Sequence, residues 1–321
     1  MSFEHTQGGR ASASPKVMTP RSQLLEMLTF ARPAFSKAEN AFIRRYILPT
    51  GAESDAYGNM ILRIGDAPIL WSSHTDTVHA NSGRQDVTVN GDVAALPASS
   101  KSNCLGADCT AGVWLMLQMI EANVPGLYVF HAAEERGGGG SSHIAKMTPD
   151  LLTGIKAAIA LDRAGCDEVI THQGGVRMAS DAFAMSLALQ LPGIYAQSPD
   201  GVFTDTANYP DLIGECVNIG VGYSRQHSKL EVQSLAHAER LRAALVAFDW
   251  TTLEFSRRPG DDDEEAARWD WFDRFADRCV ANDKWSRPPD LLRFVKDNPD
   301  AVADFLEQMG ITVDDIDAHL S

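Results

Sequence analysis

The sequence predicts an α/β protein, with a mixed, largely parallel central sheet between helices and a small helical appendage at the C-terminal end. Two observations carry this expectation. Apolar, β-branched segments of strand length alternate with longer segments whose apolar residues recur at helical spacing, the pattern of a sheet covered by helices. After Ser256 that alternation gives way to an acidic stretch, where residues 256–321 hold 9 Lys and Arg against 17 Asp and Glu, together with Trp269, Trp271 and Trp285.

In chain order, residues 1–20 are polar and rich in Ser, Gly and Pro, so a flexible arm is expected there and not a secretory signal. From Arg21 to about Ile47 apolar residues fall at helical spacing, with Pro33 dividing two short helices. Residues 61–65, 67–78 and 87–96 read as strands, the last folded at an Asn90-Gly91 turn. A helix opens near Asp108 through TAGVWLMLQMIEA. LYVFHAAE, KAAIALD and DEVITH then read as strands, residues 179–191 as a helix, NIGVGY as a strand and residues 231–253 as one long helix. The expected organisation is an arm over 1–20, a main domain over 21–255 and an acidic helical extension over 256–321. In that extension Trp269, Trp271 and Phe275 mark an apolar helix edge, and Asn298 lies at a helix start.

At 321 residues the chain has room for one large domain and a smaller addition. Its 28 Lys and Arg against 43 Asp and Glu give a net charge of −15, which argues against nucleic-acid partners and an acidic membrane surface. The 44% hydrophobic content argues against general disorder. Apolar runs such as Ala157–Leu161 fall far short of the ~18 residues of a membrane span. Cys104, Cys109, Cys166, Cys216 and Cys279 are scattered, odd in number and free of CxxC spacing, so a soluble protein of the reducing cytoplasm is expected.

Five segments carry chemistry. In SSHTDTV, His74 and Asp76 stand two apart on one strand face, where an imidazole can bind zinc and a carboxylate can fix its tautomer; an ordinary polar strand end would look the same. In LGADCTAG, Asp108 either caps the following helix or uses its two oxygens to bridge cations ~3.5–4 Å apart. In FHAAEERGGGG, a turn after the strand can bring Glu134 and Glu135 to one cavity, one as metal ligand and the other as proton acceptor. Asp162 ends an apolar strand, and His227 follows another. Each signal is weak alone, but every member is expected just after a strand, where α/β sheets gather their ligands.

In the order H-x-D, D, E-E, D, H, these residues resemble the co-catalytic dinuclear zinc exopeptidases, the superfamily of bacterial leucyl aminopeptidases, peptidase T and deacylase-like amidohydrolases, over about Ile69–Leu253. The resemblance implies a zinc aminopeptidase-like fold and two divalent metal ions, zinc with cobalt or manganese as alternatives. It implies that His74 and Asp162 bind one ion, that Glu135 and His227 bind the other, and that Asp108 bridges them. Glu134 would be the general base, and Asp76 would orient His74. Asp162, where some relatives carry Glu, is similar to the aminopeptidase branches. The 65 residues from Asp162 to His227 leave no room for an inserted lid or dimerisation domain, while Cys109 and Thr110 depart from the acidic or polar residues usual in relatives.

The reaction implied is hydrolysis of an amide or peptide bond in a small peptide, N-acyl or aminoacyl substrate, with self-association of the chain admitted. Tyr223 or Arg225 could face a developing oxyanion, Arg163 could meet a substrate carboxylate or form a salt bridge, and the resemblance suggests that the segment GVFTDTANYPDLIGE, with Asp205 and Tyr209, forms a wall of the cleft. His79, His131, His143, His172 and His237 are expected off the metals, and Cys104, Cys109 and Cys166 in packing roles. A catalytically idle relative, serving as a binding or assembly module, is the alternative.

Overall fold

The structure is a computed structural model and describes residues 18–261. The expected arm, up to residue 17, and the extension from residue 262, with Cys279, Trp269, Trp271, Phe275, Trp285 and Asn298, lie outside the described residues. Thr19 caps α1 (Pro20–Met27) by accepting from Ser22 N, and Ser36 caps α2 (Lys37–Phe42) by accepting from Glu39 N, with the short strand β1 (Phe30–Ala31) and Pro33 between them. Strands β2 (Glu53–Ser54), β3 (Met60–Ile64), β4 (Ile69–His74), β5 (Gly83–Arg84), β6 (Thr88–Asn90) and β7 (Val93–Ala95) lead to α3 (Ala107–Glu121). Next come β8 (Gly126–His131), α4 (Gly139–Met147), β9 (Ala157–Arg163), β10 (Glu168–Ile170), β11 (His172–Gln173), β12 (Val176–Arg177) and α5 (Asp181–Ala188). The described chain closes with β13 (Ala196–Ser198), β14 (Glu215–Gly220), β15 (Tyr223–Ser224), β16 (Val232–Ser234) and α6 (Leu235–Val246).

Eight strands form one sheet in the order β13-β10-β14-β9-β4-β8-β3-β2. Its centre, β14-β9-β4-β8, is parallel throughout, and β10 and β3 flank it antiparallel. The central strands are buried along both faces, which is why apolar residues stand at consecutive positions in ILW of β4, LYVF of β8 and AAIAL of β9. Alternate residues serve different cores: Ile69, Trp71, Ile159 and Leu161 pack with α3, whereas Leu70, Ala158 and Cys216 pack with Ile144, Met178 and Tyr209. The β4–β9 register sets Ser72 opposite Ala160, so two residues further on it carries His74 alongside Asp162. The segment between Asp162 and His227 returns to this sheet through β10, β13 and β14.

Helix α3 lies against β4 and β9, with α1 and α6 over it. Gly112 makes the approach possible, because a Cβ there would stand 2.0 Å from the Leu161 carbonyl oxygen, 2.7 Å from Cys109 Sγ and 2.8 Å from Ser73 Oγ.

Three expectations are corrected. The hairpin turn is Gly91-Asp92, since Asn90 still pairs with Val93 and Gly91 takes the positive φ of 61°. The long helix expected over 231–253 is α6 alone: residues 232–234 pair with β7, Ser234 caps the helix by accepting from His237 N, and regular α-helix stops at Val246. Not every site residue follows a strand. Asp108 enters α3 after an irregular stretch, Asp162 lies inside β9, and His227 sits in the loop between β15 and β16. Among the described residues no helix is long and apolar enough to cross a membrane.

Candidate metal centre

His74 ends β4 with its ring buried, and Nδ1 lies 3.1 Å from the Asp76 carbonyl oxygen. A carbonyl only accepts, so Nδ1 carries the proton and Nε2 is left to face the acids. That Nε2 stands 3.1 Å from Asp108 Oδ1, 3.3 Å from Asp162 Oδ1 and 4.0 Å from Glu134 Oε2. Across the cluster, His227 Nε2 lies 3.3 Å from Asp108 Oδ2 and 3.3 Å from Glu135 Oε1. The two Asp108 oxygens therefore divide between the two imidazoles. All five expected ligands and Glu134 come together at this end of the parallel strands.

The backbone explains each placement. Ala133 adopts φ 59° and Gly137 φ 88°, bending Glu134–Arg136 into a single 3-10 turn that brings both glutamates to the same side. Asp76 holds that turn: one carboxylate oxygen accepts from Glu134 N at 3.1 Å, the other from Glu135 N at 3.3 Å, and Oδ1 is 3.4 Å from His74 Nδ1. Asp76 thus touches the imidazole and both glutamate amides. Thr204 Oγ1 donates to Asp162 Oδ2 at 2.7 Å, orienting the remaining oxygen toward His74. Arg32, fully buried, donates to the Thr75 carbonyl and to Thr110 Oγ1, both at 2.6 Å, and so links the segments that follow His74 and Asp108.

Electrostatically the carboxylates outnumber the imidazoles, four to two. Burial pushes the Glu134, Glu135 and Asp162 carboxyls up, whereas Asp108, despite its burial, is held low by the two imidazoles that face it, His227 and His74. Burial opposes charge on His227 as well, yet Asp108 and Glu135 raise it to about 11, and the neighbouring acids likewise raise His74. Glu135 Oε1, Asp162 Oδ1 and His227 Nε2 are buried without a hydrogen-bond partner. The ligand atoms of His74, Asp108 and Glu135 lie within 4.8 Å of one another, as do those of His74, Cys109 and Asp162. A mixed imidazole and carboxylate set with open, converging atoms fits divalent zinc, cobalt or manganese.

Other expected residues fall elsewhere. The Tyr223 hydroxyl donates to the Asp162 carbonyl at 3.0 Å and is buried, so it supports the strand end, while Arg225 is exposed. Arg163 pairs with Glu168 at 2.8 Å. Of the segment 201–215, Thr204 reaches the site through Asp162, whereas Asp205 and Tyr209 are buried around His131, with the Tyr209 hydroxyl 2.6 Å from Nε2 and Asp205 Oδ2 3.3 Å from Nδ1. Burial sends Asp205 up to about 8 and His131 down to about 3. His79 bonds Thr77 and Gln85, His143 stacks near Tyr57, His172 lies beside Thr171, and His237 meets the Tyr195 hydroxyl. Cys104 and Cys109 are buried, Cys166 is exposed, and Cys109 Sγ donates to the Leu161 carbonyl at 3.2 Å. Thr204, Arg32 and Glu231 escaped the sequence reading, because hydrogen bonds to backbone or between distant segments leave no spacing signal.

No family profile matches the sequence, and no curated protein does. Solved structures do match. A tripeptidase from Staphylococcus aureus superposes with a TM-score of 0.59 at 13% identity, covering 73% of this chain and 97% of that one. Aminopeptidase PepT from Bacillus cereus gives 0.55 at 14% identity, over 73% of this chain and 98% of its own. The TET1 peptidase of Pyrococcus horikoshii, which can assemble into a tetrahedron or a large octahedral shell, gives 0.50 at 17% identity over 71% and 98%. This chain has the fold of these peptidases. The architecture expected from the motif resemblance is the one observed.

Proposed function

We propose that this chain is a metal-dependent aminopeptidase, hydrolysing a peptide or related amide bond in a small substrate. The observation that supports it most is the convergence of His74, Asp108, Glu135, Asp162 and His227 with three buried polar atoms left unpartnered. His74 and Asp162 would hold one divalent cation, Glu135 and His227 a second, and Asp108 both. Such ions, when bound, polarise a carbonyl and make water more acidic.

The chain's own part is to position and to move a proton. Glu134 stands at the edge of the ligand group, 4.0 Å from His74 Nε2, on a turn fixed by Asp76. Its carboxyl is pushed up by burial, which suits a group that takes a proton from water and returns it to the leaving amine. The peptidase fold of the neighbours agrees with this chemistry, and the shells of the Pyrococcus horikoshii TET1 peptidase make self-association part of the reading, to be tested by light scattering.

Metal analysis of protein purified without chelator, combined with a panel of aminoacyl and N-acyl amino acid substrates, tests the reading. Two divalent ions per chain and chelator-sensitive release of an N-terminal residue are expected. At most one ion after supplementation, or no hydrolysis across the panel, would overturn it in favour of an idle binding module.

A further inference from the structure

Four helices of this chain carry their own N-terminal cap: Thr19 for α1, Ser36 for α2, Ser180 for α5 and Ser234 for α6 each accept a backbone N–H from the turn they open. Helix α3, which bears Asp108, has none. Its capping position is Gly106, with φ 71°, where a Cβ would stand 2.7 Å from the His79 ring, so no Ser, Thr or Asp can occupy it. The free amides are met from far along the chain. Glu231 Oε2 accepts from Leu105 N and Gly106 N, each at 2.8 Å, and Oε1 accepts from Asp108 N at 3.0 Å.

Glu231 also belongs to the loop that presents His227. Its own amide donates to the Ser228 carbonyl at 3.1 Å, Ser228 Oγ donates back to the Arg225 carbonyl at 2.8 Å, and β16, anchored on β7, begins at the next residue. His227 takes φ 62° within this turn. One buried carboxylate therefore ties the backbone of Asp108 to the loop of His227, whose side chains meet at 3.3 Å.

We propose that Glu231 is a positioning residue for the metal centre, setting the distance between Asp108 and His227 and thereby the affinity of the cation they share. The inference rests on the dinuclear reading. Glu231 reaches the ligands through their main chain, so its removal acts on their spacing while leaving every donor atom in place.

The test compares Glu231→Gln with Glu215→Gln. Glu215 is another buried acid that receives backbone amides, at the start of β14 and among residues of α5 and the chain after α6. In Glu231→Gln the amide oxygen can serve Leu105 and Gly106 but its NH2 opposes Asp108 N, donor against donor. Dissociation constants of the folded proteins for Zn2+ are read by competition with a chromophoric chelator, and the Co2+-loaded forms by visible spectrum. Glu231→Gln is expected to bind cation roughly 10- to 100-fold more weakly, the loss usual for groups that orient metal ligands, with a shifted Co2+ spectrum. Glu215→Gln is expected to keep wild-type affinity and spectrum while melting lower. Glu231→Asp, with both oxygens retained on a shorter stem, is expected to fall between wild type and Glu231→Gln, and serves if the latter fails to fold. Wild-type affinity and spectrum in Glu231→Gln, or in Glu231→Asp where it stands in, would overturn the proposal. So would an equal loss in Glu215→Gln, which would make the effect one of general destabilisation. If the wild type itself binds no cation, the dinuclear reading fails and this inference with it; cation binding in the wild type that ignores Glu231 fails the inference alone.

Discussion

Two groups of acids in this molecule both keep carboxylate oxygens out of solvent and differ in what surrounds them. Glu215, at the start of β14, accepts from Ser180 N at 2.7 Å, Ser180 Oγ at 2.8 Å, Ser256 N at 2.9 Å and Arg257 N at 2.8 Å. At the other end of the same parallel strands, the buried Glu135 Oε1 and Asp162 Oδ1 have no hydrogen-bond donor and face only imidazoles, each at 3.3 Å. Burial of a carboxylate is costly unless donors replace water. The Glu215 knot meets that cost within the fold and joins α5, β14 and the segment after α6. The site leaves it unmet, and the deficit is what a cation would fill. An acid's donors, more than its burial, separate a structural role from a ligand role.

The sharpest way to break this contrast is Glu134→Gln. If the site's acids serve chemistry, turnover on the best substrate should fall by about 10²- to 10⁴-fold, the usual worth of a general base, with both cations retained and melting unchanged. Near-normal turnover would reverse the roles of Glu134 and Glu135.

Glu215→Gln should do the opposite, costing about 2–4 kcal/mol in urea unfolding by stranding buried N–H groups, with metal content unaltered. A loss below ~0.5 kcal/mol would mean that the knot is not structural.

Glu135→Gln brings both sides of the comparison into one residue. The cation-free protein should melt a few degrees higher, because a buried, mutually repelling acid becomes neutral, while cation binding falls. Lower melting without cation would show that Glu135 is held by contacts of the Glu215 kind.

The smallest effect is in pH dependence near the Asp108 loop. Burial lowers the His79 imidazole to about 4, against 6.5 when unfolded. The unfolded chain therefore binds more protons between those values, so the contribution is complete above pH 6.5 and lost as pH falls toward about 4. The stability difference between wild type and His79→Gln should shrink by about 1–2 kcal/mol between pH 7 and 5. A difference flat over that range would mean that His79 titrates in the fold as it does in the unfolded chain.

What the sequence disclosed follows from distance along the chain. His74 with Asp76, Glu134 with Glu135 and the glycines after them, and Asp162 closing an apolar strand are local patterns, and strand register alone then brings His74 to Asp162. Trp71, Ile159 and Leu161 were legible as strand residues because parallel central strands are apolar on both faces. Glu231 was not, since its meaning lies in amides more than 120 residues earlier. For the same reason local spacing places VQS in a helix, while its partner, β7, lies far upstream and makes it a strand. Tyr223 looked like a group aimed at substrate because sequence cannot tell a hydroxyl facing a cavity from one bonded to a neighbouring carbonyl.

Gly112 gives the last of these lessons a scale. Its absent side chain works as a caliper: α3 closes on β9 until a hydrogen atom touches the Leu161 carbonyl, and Asp108, four residues nearer the helix tip, comes to rest beside Asp162 by that closure. A single methyl group there would stand 2.0 Å from that oxygen and so press the helix outward, widening the gap between the two acids. A substitution at a residue with no chemistry of its own would thus change the spacing of the cluster while every polar group remained in the sequence.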